Sequence, residues 1–204
     1  MASETVRAVL NHVLSALEPP GYPCALMGGV ALAVWNYPRA TRDVDLLIGI
    51  ESGEIESVVE CLEASGCRPK RSNAVVAVGT HHFLQFLYTP PGEFYDVQFD
   101  LLLAESELQK SAIARRVQRD VPGVNRPVDV IRCDDLILLK LLAGRIIDRA
   151  DAAMLLRENC DAIQFNYLHD WVARLDLTAE LSEVWQEAYP DEEPPAASGS
   201  ATDG

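Results

Sequence analysis

The fold is decided by residues 27–33, MGGVALA, and residues 38–48, PRATRDVDLLI. Residues 24–27 form an apolar run compatible with a buried strand, and the residues after Gly29 follow a helical pattern. Gly28 and Gly29 lie between the two, where residues without a Cβ let the backbone approach a ligand closely. Free amides at the start of a helix suit a phosphate. The pair therefore indicates a phosphate-binding turn, with an ordinary tight turn as the alternative.

Two acids begin the strand predicted over residues 44–48. Asp43 and Asp45 are two positions apart, so on a strand their side chains point to one face while Val44 points into the core. Like charges this close repel each other and raise each other's pKa, and a divalent cation relieves that repulsion. The apolar run that follows places this strand in the core, which favours a metal site over a solvated strand end. We predict that Asp43 and Asp45 are catalytic and bind Mg²⁺.

A third acid is expected in residues 94–103, which have the pattern of a strand. Asp96 and Asp100 share one parity, so both can lie on the face opposite Phe99. Asp100 has the more apolar neighbours, and a buried acid is costly unless it is paired or binds metal. We predict Asp100 as the third catalytic carboxylate and metal ligand, with Asp96 as the alternative.

Lys140 lies in an almost wholly apolar helical segment, residues 136–142. A lysine in such a segment either extends its charged end to solvent or meets an anion, and we predict that it binds phosphate. If the helix continues, Asp151 returns to the face of Lys140. If Gly144 ends the helix, Asp148 caps the next one, and both aspartates have structural roles.

The pattern along the chain predicts the fold class. Further helices are expected over residues 4–17, 54–64, 106–117, 149–158, 165–174 and 179–188, and further strands over residues 74–78, 83–88 and 128–132. Strands and helices alternate only in part, which indicates an α/β (α+β) fold with a small mixed sheet flanked by helices and followed by a helical C-terminal half. We predict an α/β core at 1–133, a helical region at 134–189 and a disordered acidic tail at 190–204.

The composition limits the partners. The chain has 204 residues with 17 Lys and Arg against 31 Asp and Glu, a formal net charge of −14, so it repels nucleic acid on average. Two basic clusters are either solvated surface or, if they gather on one rim of a cleft, a contact for phosphates: Arg68, Lys70 and Arg71, and Arg115, Arg116 and Arg119. No stretch approaches the roughly 20 apolar residues of a membrane span, which predicts a soluble cytoplasmic protein with no membrane partner.

Together these motifs resemble the nucleotidyltransferase superfamily that includes DNA polymerase beta. The superfamily pattern is hydrophobic-Gly-Gly/Ser, a short helix, Asp-hydrophobic-Asp and a later strand Asp, and its matches here are Gly28, Gly29, Asp43, Asp45 and Asp100. The finer resemblance is to the abortive-infection (AbiEii-like) group, whose Arg-x-Thr-x-Asp-hydrophobic-Asp is similar to residues 39–45. A second motif of that group is matched by Asp135, Leu136, Lys140, Ala143, Arg145, Asp148 and Asp151.

The resemblance implies a nucleotidyltransferase sheet and an enzyme that moves a nucleoside monophosphate from a nucleoside triphosphate to an acceptor hydroxyl. Asp43, Asp45 and Asp100 would hold two Mg²⁺ ions, and in-line displacement at the α-phosphate would release pyrophosphate. A second set of residues would bind the nucleotide: Gly28, Gly29, Arg39, Thr41, Arg42 and Lys140.

The resemblance also implies partners. Several proteins of the abortive-infection type are toxins that block translation, so tRNA is the expected acceptor, with a protein acceptor or an antitoxin partner as alternatives. Two other hypotheses remain beside this one: a catalytically inactive binding or regulatory protein on the same fold, and a small-molecule (antibiotic-type) nucleotidyltransferase. The presence of all three expected acids favours an enzyme over the inactive protein.

Overall fold

The computed structural model describes residues 2–192; the greater part of the predicted acidic tail, 193–204, lies outside the described residues. The helices within that range are α1 (Glu4–Leu17), α2 (Gly28–Val34), α3 (Ile55–Ala64), α4 (Glu107–Ala114), α5 (Cys133–Ala143), α6 (Ile146–Glu158), α7 (Phe165–Arg174) and α8 (Thr178–Ala188). The strands are β1 (Cys24–Met27), β2 (Val44–Ile48), β3 (Arg68–Pro69), β4 (Val75–Val78), β5 (His81–Tyr88), β6 (Val97–Leu103), β7 (Val117–Arg119) and β8 (Val128–Val130).

These strands form one mixed sheet. Its order is β3-β5-β6-β2-β1-β8-β7, and β4 pairs with β5 outside this path. β2 is parallel to β6, β1 is parallel to β8, and the other pairs are antiparallel. The predicted fold class, a small mixed sheet with helices and a helical C-terminal half, is confirmed.

The two central strands, β2 and β6, change character along their length. Buried and half-buried residues alternate in their first halves, whereas the last three residues of each strand are all buried. Alternation is typical of a sheet with one face covered, and a continuous apolar run is typical of a strand covered on both faces. One face is therefore accessible only along the first halves, which contain Asp45 and Asp100.

The chain divides into two compact units. Among the described residues, the first contains 2–34 and 38–131, with the whole sheet, and the second contains 35–37 and 132–192. In the second unit, α6 packs on α5 and α8, and α7 packs on the same two helices. Asn159 Nδ2 donates to the carbonyl oxygen of Trp35 at 2.8 Å, which fixes the short segment 35–37 to this unit. No helix within residues 2–192 is long and apolar enough to cross a membrane.

The structure corrects the predicted pattern at two edge strands. The helix predicted over residues 106–117 ends at Ala114, and Val117 begins β7. β3 was not predicted either. Strands of two or three residues are too short to show the period of two that identifies a strand in a sequence. The domain boundaries proposed from the sequence stay predictions.

Candidate active site

Asp45 and Asp100 lie side by side on neighbouring parallel strands. Asp45 of β2 is in register with Met27 of β1 on one side and with Asp100 of β6 on the other. Neighbouring strands are about 4.8 Å apart, and residues in register point to the same face. Gly28 directly follows Met27, so the glycine pair lies level with both acids.

Gly28 is required by its backbone and by its neighbour. Its φ of +62° is in the left-handed region of backbone conformation, which residues with a Cβ rarely adopt. A Cβ at this position would lie 1.9 Å from Asp45 Oδ2 and 2.6 Å from Asp45 Cβ. The carboxyl group of Asp45 therefore occupies the space that the missing side chain leaves.

Gly29 leaves space for Thr41, which orients the other acid, Asp43. A Cβ on Gly29 would lie 2.6 Å from Thr41 Oγ1. That hydroxyl donates to Asp43 Oδ1 at 2.8 Å and so orients the carboxylate just before β2 begins. Asp43 is near enough to Asp100 for its charge to raise the pKa of that acid. The glycine pair thus leaves room for Asp45 and for Thr41, the hydrogen-bond partner of Asp43, and its binding of phosphate stays a prediction.

Asp100 is half-buried and held by two neutral side chains. Gln98 Nε2 donates to both of its oxygens, at 2.8 Å and 3.0 Å, and Gln85 Nε2 donates to Oδ2 at 3.3 Å. Burial raises the pKa of Asp100 most, and the charge of Asp43 raises it further, against the lowering effect of the two glutamines and Lys70. Asp100 is therefore an acid whose negative charge a nearby cation would stabilise.

Asp96, the alternative third acid, has a different surrounding. It precedes β6, is exposed, accepts a hydrogen bond from Thr89 Oγ1 at 2.6 Å, and forms an ion pair with Arg68. The hydrogen bonds from Thr89 and Arg68 lower its pKa. The structure therefore brings Asp100, and not Asp96, into register with Asp45.

Lys140 lies buried between two carboxylates in the helical unit. Its Nζ donates to Asp148 Oδ1 and to Asp151 Oδ2, each at 2.8 Å. Arg145 Nε also donates to Asp148, at 2.5 Å. Gly144, with a φ of 65°, ends α5, so the alternative of one continuous helix is wrong. Asp148 lies in the first turn of α6, whose N-cap is Arg145.

This group is electrically balanced. Burial opposes the charged form of Asp148, but the hydrogen bonds and charges of Arg145 and Lys140 outweigh it and lower the pKa of the carboxyl. The exposed fraction of the side chain is 1% for both Asp148 and Asp151 and 9% for Lys140. The assignment of Lys140 to nucleotide binding stays a prediction, and in this structure its donors are directed at the two aspartates.

The basic residues lie in separate places. Arg39 is half-buried and Arg42 is exposed, both in the loop before β2, where nucleotide binding stays a prediction. The expectation that the two basic clusters gather on one rim is wrong. One cluster is at β3 and the other at β7, and five strands of the sheet lie between these two edges.

With this geometry established, comparison with known proteins assigns the chain to a family. A family model described as "Nucleotidyl transferase AbiEii toxin, Type IV TA system" matches residues 12–188, which include every motif discussed above. The chain belongs to the AbiEii nucleotidyl transferase family. The resemblance inferred from the motifs is confirmed. A search of curated proteins finds no match.

Solved structures show that this AbiEii-family chain shares its fold with other nucleotidyltransferase-like proteins. An antigenic nucleotidyltransferase-like protein from Paracoccidioides brasiliensis is 20% identical with a TM-score of 0.52, over 90% of this chain and 93% of that one. The antibiotic-resistance factor ANT(2'')-Ia, solved in solution, is 15% identical with a TM-score of 0.56, over 89% and 97%. Its crystal structure with adenylyl-2''-tobramycin has a TM-score of 0.52 at 15% identity, over 86% and 98%. At such identities the likeness concerns the fold alone.

The AbiEii-family site has the chemistry of a divalent-cation site. Nucleotidyltransferases generally use divalent metals, and carboxylate oxygens are the ligands that Mg²⁺ prefers. Asp45 and Asp100 are in register, and the charge of Asp43 acts on Asp100. Within residues 2–192, no group of three or more His, Cys, Asp or Glu side chains is already arranged to hold a metal. The carboxylates therefore fit the ion by chemistry and by strand register, and their metal binding stays a proposal.

Sequence reasoning did not find the two glutamines. Gln85 is flanked by apolar residues of β5, and Gln98 lies between Val97 and Phe99 of β6. Both are half-buried polar residues between apolar neighbours, and polar groups that lose contact with water require partners. That signal was present, and the shared parity of Gln98 and Asp100 would have placed them on one face.

Proposed function

We propose that this AbiEii-family protein is a metal-dependent nucleotidyltransferase that moves a nucleoside monophosphate from a nucleoside triphosphate to an acceptor hydroxyl and releases pyrophosphate. One observation carries the proposal. Asp45 is in register with Asp100, and the carboxyl of Asp45 fills the space that Gly28 leaves beside it. Two acids held this close, with Asp43 adjacent, would form an anionic site for a divalent cation. The cation would in turn bind the phosphate chain.

Each acid has a role in this proposal. Asp43, Asp45 and Asp100 would hold two Mg²⁺ ions, which supply charge stabilisation for the attacking and the leaving oxygen. Thr41 keeps the carboxylate of Asp43 oriented through its 2.8 Å hydrogen bond. Asp100 would also accept the proton of the attacking hydroxyl, a role that its place in register with Asp45 allows.

The triphosphate would lie at the start of α2. Amides at the beginning of a helix bind phosphate oxygens, and Gly28 and Gly29 are the first two residues of this helix. Arg39 and Arg42 would neutralise the charge that develops on the transferred phosphoryl group. Lys140 would contact the triphosphate only by exchanging its present carboxylate partners for phosphate oxygens.

The experiment is a transfer assay with each of the four triphosphates labelled at the α-phosphate, in the presence of Mg²⁺. Labelled product that requires Mg²⁺ and is absent with Asp45→Asn would support the proposal. If wild-type protein binds triphosphate but transfers no label to RNA, to protein or to small molecules, the inactive binding protein is the correct description.

For the acceptor we propose tRNA, acted on by the toxin of a type IV toxin–antitoxin system in the cytoplasm. The family is one of type IV toxins, and Lys70, in the cluster beside β3, lowers the pKa of Asp100 and so lies near the site. A strand of phosphates would pass Arg71 on this side, whereas Arg119 lies at the opposite sheet edge. The cognate antitoxin is the expected partner in the cell.

Paired charge reversals test the acceptor. Arg71→Glu should weaken labelling of tRNA, and the loss should grow as salt falls, because phosphate contacts depend on ionic strength. Arg119→Glu is the matched control, since it makes the same change at the opposite edge of the sheet. Label found only on protein, or only on an aminoglycoside, would identify a different acceptor class and overturn the tRNA proposal.

A further inference from the structure

We propose that Gln98 is a positioning residue that orients Asp100 for the cation without cancelling its charge. The inference rests on the proposed function, because it concerns how one carboxylate is presented to a divalent ion. Lys70 completes the arrangement by holding the other end of the Gln98 amide.

The hydrogen bonds form a short chain of three side chains. Lys70 Nζ donates to Gln98 Oε1, and Gln98 Nε2 donates to both oxygens of Asp100, at 2.8 Å and 3.0 Å. An ammonium group has only donors and a carboxylate has only acceptors. Turning the amide over would direct its nitrogen at Lys70 and its oxygen at Asp100, so both contacts would become repulsive. The two charged neighbours therefore determine the orientation of the amide.

The amide separates two opposite charges. A lysine in direct contact with Asp100 would neutralise the carboxylate and compete with a metal for its oxygens. Gln98 keeps Lys70 one side chain away and still gives Asp100 two hydrogen bonds. A neutral donor fixes the direction of the carboxylate and leaves its full negative charge, which is what binding of a hard divalent cation requires.

Gln85 supports the same carboxylate from the next strand. It is in register with Asp100 across the β5–β6 pair, and its Nε2 lies 3.3 Å from Oδ2. This contact is longer and reaches one oxygen only. The geometry thus ranks Gln98 above Gln85 in fixing the rotamer of Asp100.

The test measures Mn²⁺ binding to the full chain by electron paramagnetic resonance, with no nucleotide present. Gln98→Met keeps the length of the side chain and removes its donor. Loss of a residue that orients a metal ligand typically costs about 10–100-fold in affinity, so we expect Mn²⁺ binding to weaken by about tenfold. Gln85→Met should weaken it less, and it replaces the first variant if that one fails to fold. Gln118→Met, on the far edge strand β7, is the matched control and should bind as wild type.

Turnover gives the second readout. Gln98→Met should lower kcat and leave KM for the triphosphate unchanged, because the amide contacts Asp100 and Lys70 and none of the residues proposed to bind the triphosphate. Unchanged Mn²⁺ affinity in Gln98→Met, with binding lost in Asp45→Asn, would overturn the positioning role alone. Weakened Mn²⁺ binding in a protein that transfers no nucleotide would support the positioning role and overturn the proposed function. If Asp45→Asn binds Mn²⁺ as tightly as the wild type, both the positioning role and the proposed function are overturned.

Discussion

The molecule contains two groups of aspartates that are built in opposite ways. Asp43 and Asp100 receive their hydrogen bonds from a hydroxyl and from amides, which are neutral. Asp148 and Asp151 receive theirs from Lys140 and Arg145, two cations for two carboxylates. These neutral donors leave the charge of the first group unneutralised, which fits the cation site proposed for it, whereas the charges of the second group are balanced by its two cations. Acids that resemble each other in the sequence therefore differ in purpose according to the charge of their donors.

The largest effect, a loss of stability, should come from removing Lys140 from the ion pairs that it forms with Asp148 and Asp151. Lys140→Met removes the cation that the buried carboxylates of Asp148 and Asp151 share, although Asp148 keeps Arg145, and removal of one partner from a buried ion pair costs about 3–5 kcal/mol. Urea unfolding followed by circular dichroism measures the loss. Lys110→Met, at an exposed position, is the control and should change little. A loss below about 1 kcal/mol for Lys140→Met would show that the pairs are not structural.

The second effect should appear in activity and not in stability. Asp45→Asn removes one of the three negative charges of Asp43, Asp45 and Asp100, so like-charge repulsion falls and the melting temperature should hold or rise. Transfer should fall by about a hundredfold or more, the scale of losing a preorganised electrostatic group. Asp96→Asn is the control, since that acid is exposed and paired with Arg68. Equal losses in both variants would contradict the choice of Asp100 over Asp96 as part of this site.

A third prediction separates backbone strain from contact. Gly28→Ala and Gly79→Ala place a Cβ at nearly the same backbone angle, φ +62° and +60°, but only the first meets a side chain. Gly79→Ala should lose roughly 1–2 kcal/mol of stability, the cost of the left-handed conformation, and Gly28→Ala should lose more because its Cβ also overlaps Asp45. Only Gly28→Ala should lower transfer, by about tenfold or more, because its Cβ displaces Asp45. Equal transfer rates in the two variants would refute the role of the contact.

The smallest effect should be a change in how the free energy of unfolding depends on pH. The pKa of Asp148 is lowered in the folded protein, so its contribution to stability is present above the ordinary pKa of an aspartate and is lost as pH falls through the lowered value. Unfolding free energies measured between pH 7 and pH 2 should fall in wild type. In Lys140→Met the same fall should be smaller, since one of the two cations that lower this pKa is gone and only Arg145 remains. Parallel curves for the two proteins would contradict the assignment.

The sequence predicted the parts with strong local signals. The helices α1 and α7, the strand β2 and the set Asp43, Asp45 and Asp100 were all visible as periods or spacings. The order of the strands in the sheet could not be predicted, because a linear pattern does not show that β3 and β7 are opposite edges. The ion pairs of Lys140 were likewise beyond reach, because they depend on how α5 and α6 pack after Gly144 separates them.

Because a Cβ at position 28 would overlap Asp45, the residues that positions 28 and 45 tolerate depend on each other. A chain that loses the acid at 45 is released only from the clash with the carboxyl group at 1.9 Å, while the 2.6 Å approach to the Cβ of residue 45 and the φ of +62° persist. The energies of Gly28→Ala and Asp45→Ala should then be non-additive, with the double variant milder than the sum. Across the family, a residue with a Cβ at 28 is therefore expected only in chains whose position 45 has lost its acid, and those chains would also lack the carboxylate that the proposed catalysis requires.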